Sequence, residues 1–246
     1  MKAHSGGLDN KAYSDHSCIM GNPYHADDEG LLCFNAAKIF QIAQGHNSWY
    51  NKNDHDAEVW DSGTSGSSYW AGTIIGIADY QNNRNALPVV VKVESGTLSD
   101  IFIGFNRAKG VNLQTAQYQN QVTVIEAGND GVGYSQSYVK AALSAGESYT
   151  VAKNWRGSGL PLTITVNDIN ISANPGYADV LIQLGDNKPP PTTRDVMPST
   201  TRPRLMPTPV TQISLPTASI PTRKKPRTRR PTTAKPITKM LHITIT

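Results

Sequence analysis

His4 and Met20 are the two side chains of this 246-residue chain whose types and surroundings point most directly to chemistry. A neutral imidazole is a common zinc ligand, and a Met in a tight turn can lie beneath a metal site without bonding the ion. In one class of zinc hydrolase an H-E-x-x-H helix sets two His one turn apart on one face, with a Glu beside the metal-bound water. The extended form adds a third His further along and a Met-containing turn below the site. His4 takes the place of that third ligand and Met20 the place of the turn. By the spacing of the motif the first two His would precede Met1, and H-E-x-x-H occurs nowhere in the chain. The expectation is a site that begins upstream of these residues.

Three separated runs carry a further likeness: Y-S-D-H-S-C-I-M-G (13–21), C-F-N-A-A-K (33–38) and F-N-R-A-K-G-V-N (105–112). In that order they resemble the gametolysin family of algal extracellular zinc metalloendopeptidases, a metzincin-like family, over residues 4 to about 185. The resemblance implies zinc as cofactor, His4 as a metal ligand, Met20 as the Met-turn, and a general-base Glu supplied upstream, so that no catalytic side chain lies in this chain. It also implies an extracellular protein substrate. One departure is that the glycine expected three residues before the third His falls on Met1.

Other candidates read more simply. Tyr24 and His25 follow the turn too loosely spaced to be ligands. The carboxylates Asp15, Asp27, Asp28 and Glu29 invite a calcium reading, but Asp27-Asp28-Glu29 lacks the alternate spacing of an EF-hand loop and reads as a solvated acidic loop. No glycine-rich phosphate loop opens a helix, and no serine triad can be assembled from the sequence. Trp60, Trp70 and Trp155 form no aromatic row for sugars and read as core.

Composition changes abruptly near Asp186. Residues 187–246 hold 12 of the 16 prolines and 12 Lys or Arg against one acid, Asp195; the 186 residues before them hold 11 basic and 18 acidic side chains. The formal charge of +4 therefore sums a basic tail and an acidic body. Such a Pro/Thr-rich tail buries too little apolar area to order itself, and its charge suits an anionic cell-wall polymer. No folded nucleic-acid module accompanies the run Arg223–Arg230, so nucleic acid is not expected as a partner. No stretch is long and apolar enough for a membrane span, and residues 1–10 do not read as a signal peptide.

Cys18 and Cys33 are the only cysteines. The spacing is not that of a cysteine zinc site, and a local disulfide closing the turn is the preferred reading, with two buried free thiols as the alternative. Asn170-Ile171-Ser172 is an N-glycosylation triplet.

These residues must be held by elements the pattern also marks. Asn35 caps a helix over 36–43, with Ala36, Ile39, Phe40 and Ala43 on one face and Trp49 and Tyr50 to pack on it. Period-two segments bounded by turn residues predict strands at 70–79, 88–93, 100–106, 121–127, 137–143, 149–153, 162–166 and 179–184. The expected class is α+β, mostly β: a metzincin C-terminal remnant (1–50), a linker or loop (51–68), an antiparallel β-sandwich (69–186) and a disordered basic tail (187–246). The functional expectation is the C-terminal part of a secreted, extracellular or cell-wall metalloendopeptidase, inactive as this chain alone. The alternative is a non-catalytic β-sandwich binding or structural protein with a cationic wall-anchoring stalk.

Overall fold

A computed structural model of the chain describes residues 4–22, 31–43, 57–83, 86–128 and 135–186. The chain divides into two units, Met1–Thr193 and Arg194–Thr246, and the second lies wholly outside the described residues. Among the described residues the protein is mostly β, with two sheets and one short helix.

Ten strands and the helix α1 (Ala36–Ala43) are ordered as β1 (Ser5–Gly6), β2 (Ala57–Trp60), β3 (Tyr69–Ile75), β4 (Val90–Val93), β5 (Ser99–Asn106), β6 (Gln121–Gly128), β7 (Ser137–Leu143), β8 (Ser148–Ala152), β9 (Leu162–Asn170) and β10 (Tyr177–Leu184). A strand stands at each of the eight expected places, but the first, expected over 70–79, ends at Ile75, and Ile77–Asn82 forms a short 3-10 turn instead. One sheet has six strands in the order β1-β7-β6-β5-β4-β2; the other has four, β3-β10-β9-β8. The central pairings are antiparallel, while the outermost strands of the larger sheet, β1 and β2, pair parallel to β7 and β4.

The larger sheet is the middle of three layers. Val91, Ile101, Ile103, Phe105, Val122 and Val124 face Ile74, Leu162, Ile164, Val166, Val180 and Ile182 of the smaller sheet in one apolar cluster. The alternate side chains Phe102, Ile125, Ala127 and Val139 turn the other way and pack with Ala36, Ala37, Ile39 and Phe40 of α1. Burial on both faces explains why β5 reads as an almost continuous apolar run, Asp-Ile-Phe-Ile-Gly-Phe. Each fully buried Ile, Val or Phe contributes about 1.5–3 kcal/mol of apolar burial. A register shift opposite Val124/Ile125 sets Ala141 and Leu143 of β7 toward the sandwich and Val139 toward the helix.

Eight residues are too few for a helix to be stable alone, so α1 depends on this packing. Asn35 caps it as expected: its Oδ1 accepts the Lys38 N–H at 3.0 Å. Gly104 lets the helix approach, since a Cβ there would meet the Ala36 Cβ at 2.9 Å.

Within the stretch expected as a linker or loop (51–68), Ala57–Trp60 forms a strand on β4 and Trp60 is buried in the sandwich core. Within the stretch expected as the protease remnant (1–50), β1 joins the larger sheet and α1 covers its outer face. Short parallel pairings made across long sequence separations leave no local pattern to read. Trp49 and Tyr50, and the tail 187–246, lie outside the described residues.

Candidate functional site

The site is built from the strip 4–22 and the start of α1. Ser5 fixes it: its N–H donates to the Met20 carbonyl at 3.0 Å, while the Ser137 N–H of β7 donates to the His4 carbonyl at 3.1 Å. His4 is thus held between a sheet strand and the turn that carries Met20. That turn is closed by the Gly21 N–H donating to the Cys18 carbonyl at 2.9 Å. Gly21 is required on steric grounds, because a Cβ there would lie 1.8 Å from the Asp15 carbonyl oxygen.

Beneath this strip lies a polar cluster closed to solvent. Asp15 is fully buried. Its Oδ2 accepts the Ser5 hydroxyl at 2.5 Å and the Asn35 amide at 3.4 Å; its Oδ1 accepts the Ser17 hydroxyl at 2.5 Å and the Ser17 N–H at 3.0 Å. Asn35 Nδ2 also donates to the hydroxyls of Ser5 at 2.7 Å and Ser137 at 3.1 Å. One residue, Asn35, therefore caps α1 and ties it to the His4 strip and to β7. Lys38 extends the cluster, with its Nζ donating to the Ser135 carbonyl and to Gln41 Oε1. Burial of Lys38 lowers its ammonium pKa. Asp15 is no part of a solvated acidic loop; Asp27, Asp28, Glu29, Tyr24 and His25 lie outside the described residues.

The expected disulfide is not formed: Cys18 and Cys33 are free thiols, the first buried and the second half-buried. Cys18 Sγ instead accepts the N–H groups of Asn35 at 3.3 Å and Met20 at 3.4 Å, which ties it to the capping residue. Burial pushes the Cys18 thiol up to about 12, with the nearby Asp15 charge adding to it, and pushes Cys33 up to about 11. Neither is a thiolate nucleophile at neutral pH.

His4 is half-exposed, and its Nε2 shares a hydrogen bond with the Tyr13 hydroxyl at 3.0 Å, the two rings lying 4.2 Å apart. Tyr13, which entered the sequence reading only as the first letter of a motif, engages one of the two ring nitrogens through which His4 could bind a metal. Among the described residues no group of three His, Cys, Asp or Glu could hold an ion. Among the described residues this strip offers zinc one donor, His4, and no zinc site is formed. A cavity of about 20 Å³, lined by Ser17, Cys33, Asn35 and Asn112 among others, has room for one water and not for a substrate.

The F-N-R-A-K-G-V-N run is a clamp rather than a ligand site. Asp79 is fully buried and accepts Lys109 Nζ at 2.5 Å and the Gly176 N–H at 3.1 Å, with Arg107 Nε 3.4 Å away. Burial opposes ionisation of Asp79, but the Lys109 and Gly176 hydrogen bonds and the two cationic neighbours outweigh it and hold the carboxyl below its usual range. Asn112 Nδ2 bonds Asn106 Oδ1 at 2.8 Å, and its Oδ1 accepts the Cys33 N–H at 3.0 Å, so the clamp reaches the segment leading into α1. Trp60 and Trp155 are core residues as expected, and Trp70 packs against that core. Asn170 ends β9.

Comparison of the chain with protein-family models, with curated proteins and with solved structures returned no match. No helix among the described residues is long and apolar enough to cross a membrane.

Proposed function

We propose that these residues are the C-terminal part of a gametolysin-like secreted zinc metalloendopeptidase that acts on extracellular matrix or cell-wall proteins. The chain as it stands is inactive, because the general-base Glu and two of the three His belong to the longer protein that the resemblance implies. The observation that carries the reading is the pair of backbone hydrogen bonds, Ser137 to His4 and Ser5 to Met20, which join the expected third ligand to the expected Met-turn. The three quoted motifs support it from the sequence side. In the longer protein His4 would complete the zinc ligand set. Zinc on Nε2 requires the Tyr13 hydroxyl to leave that nitrogen. What this chain contributes is position: Asp15, Asn35 and Ser137 fix Ser5, and Ser5 fixes the backbone of its neighbour.

The experiment is recovery of the native protein with an antibody raised to residues 89–184, followed by peptide mapping. Peptides containing H-E-x-x-H upstream of His4 are expected. A native chain that carries no such segment would overturn the protease reading.

One observation favours a second reading, in which the fold is a non-catalytic binding or structural module with a cationic stalk. Tyr13 already engages a His4 ring nitrogen, while α1 packs as a plain apolar cover on the outer face of the larger sheet. That reading predicts retention on an anionic wall polysaccharide that is lost when residues 187–246 are removed.

A further inference from the structure

The triplet Asn170-Ile171-Ser172 is the sequence's single N-x-S/T acceptor, and it stands where β9 turns into β10. Its surroundings meet three separate demands of N-glycosylation. The first is access: Asn170 is half-buried at the end of β9, while Ile171 is 47% exposed and Ser172 is exposed, so the loop side of the triplet is open and a large polar graft here displaces no core. The second is conformation. Asn170 Oδ1 accepts the N–H groups of Ser172 and Ala173, both at 3.0 Å, which folds the triplet into an Asx turn. With the oxygen edge of the amide tied to the loop backbone, Nδ2 lies on the other edge. Its recorded contact is the Tyr177 hydroxyl at 3.5 Å, the outer limit of a hydrogen bond.

The third demand is that the hairpin survive the addition. Arg107 Nη2 donates to the Ile171 carbonyl at 3.0 Å, and Asp79 accepts the Gly176 N–H at 3.1 Å. The loop is thus anchored by its backbone to the Asp79 clamp, and neither anchor uses the Asn170 amide nitrogen or the Ser172 hydroxyl.

We infer that Asn170 is an N-glycan acceptor, modified in the secretory lumen by transfer from a polyisoprenyl-pyrophosphate oligosaccharide. The amide Nδ2 forms a bond to the anomeric carbon of the first sugar. The bond from that carbon to the pyrophosphate oxygen breaks, the pyrophosphate leaves with the electron pair, and the amide nitrogen gives up one proton. No oxidant or reductant is needed. The glycan would cover Ile171, an exposed aliphatic side chain in the turn between β9 and β10. The inference rests on the secreted reading above, because the donor exists only on the lumenal side.

The test is translation of the full chain, behind an appended signal sequence, into glycosylation-competent microsomes. The expected result is one mobility shift, removed by peptide N-glycosidase with conversion of Asn170 to Asp. The shift should be absent in Asn170→Gln and in Ser172→Ala, which keeps the Ser172 N–H that Asn170 accepts, and retained in Ser172→Thr. Gln212→Asn, which places the same Asn-Ile-Ser order in the tail, is the control for lumenal delivery. A chain that is protected from added protease and modified at position 212 but not at Asn170 would overturn the inference. The secreted reading fails separately if the native protein, recovered with the antibody above, is found inside cells and not in the medium or wall.

Discussion

The two faces of the six-stranded sheet are buried by different means. Toward the smaller sheet the covering is Ile, Val, Leu, Phe and Trp, with burial of area as the driving force. Toward α1 the apolar group around Phe40 and Phe102 is accompanied by Ser5, Asp15, Ser17, Asn35, Lys38, Lys92, Asp100 and Ser137, all buried. Lys92 lies 3.0 Å from Asp100 and 2.7 Å from Glu94, and sits over the Phe40 ring. An apolar face accepts many side chains of similar volume, whereas a buried polar network is satisfied in few arrangements. The lesson is a division of labour in which the sandwich face holds the fold together and the helix face fixes one placement of the strip that carries His4.

The largest effect expected is on the apolar part of the helix face. Phe102 is fully buried and stacks with Phe40 at 5.3 Å between ring centroids. Phe102→Ala should cost about 4 kcal/mol in urea unfolding. A cost under about 1 kcal/mol would mean that α1 is not anchored there.

Asp15→Asn sharpens the comparison, because it hardly changes volume. It replaces an acceptor of four hydrogen bonds by an amide whose NH2 would face donors. It should cost about 2–3 kcal/mol. Ile164→Val on the sandwich face, which removes one methyl group, should cost about 1 kcal/mol. Equal costs for these two substitutions would erase the distinction between the faces.

Between those values falls Asp79, whose test is pH. Its folded pKa is depressed, so the unfolded chain binds more protons in the acid range and stability there rises with pH. The contribution is complete above the ordinary value of 3.8 and is lost as pH falls through the lower folded value. Asp79→Asn should therefore be less stable than the wild type by roughly 1.5 kcal/mol at neutral pH, and the gap in Tm should narrow as pH falls below 3.8. A gap that stays constant across that range would remove the charge from the account.

Much of this architecture was legible in the sequence, for reasons that differ by element. Gln121–Gly128 lies between turn residues and carries four successive β-branched side chains, 122–125, while Ser137–Leu143 stands out by alternation, with Val139, Ala141 and Leu143 at every second position. Asn35 and the spacing of Ile39 and Phe40 marked α1. What was hidden depends on contacts across the chain. Ala57–Trp60 is four residues long with only Trp60 buried, and it becomes a strand only by lying beside Val90–Val93. Asp15, Lys38 and Asp79 are of types that composition assigns to the surface, and only the partners brought by the fold make their burial tolerable. His4 and Met20 could be marked from the motif alone, whereas the Tyr13 contact with His4 could not, because it is made by the folded backbone, with Tyr13 at a φ of 65°.

The central claim is that His4 is a zinc ligand of a longer protein, and metal analysis of the native protein beside its His4→Ala variant tests it most directly. The account predicts one tightly held zinc per chain in the native protein and its loss in the variant, with the thermal transition retained. Zinc held equally by both, or by neither, would contradict it.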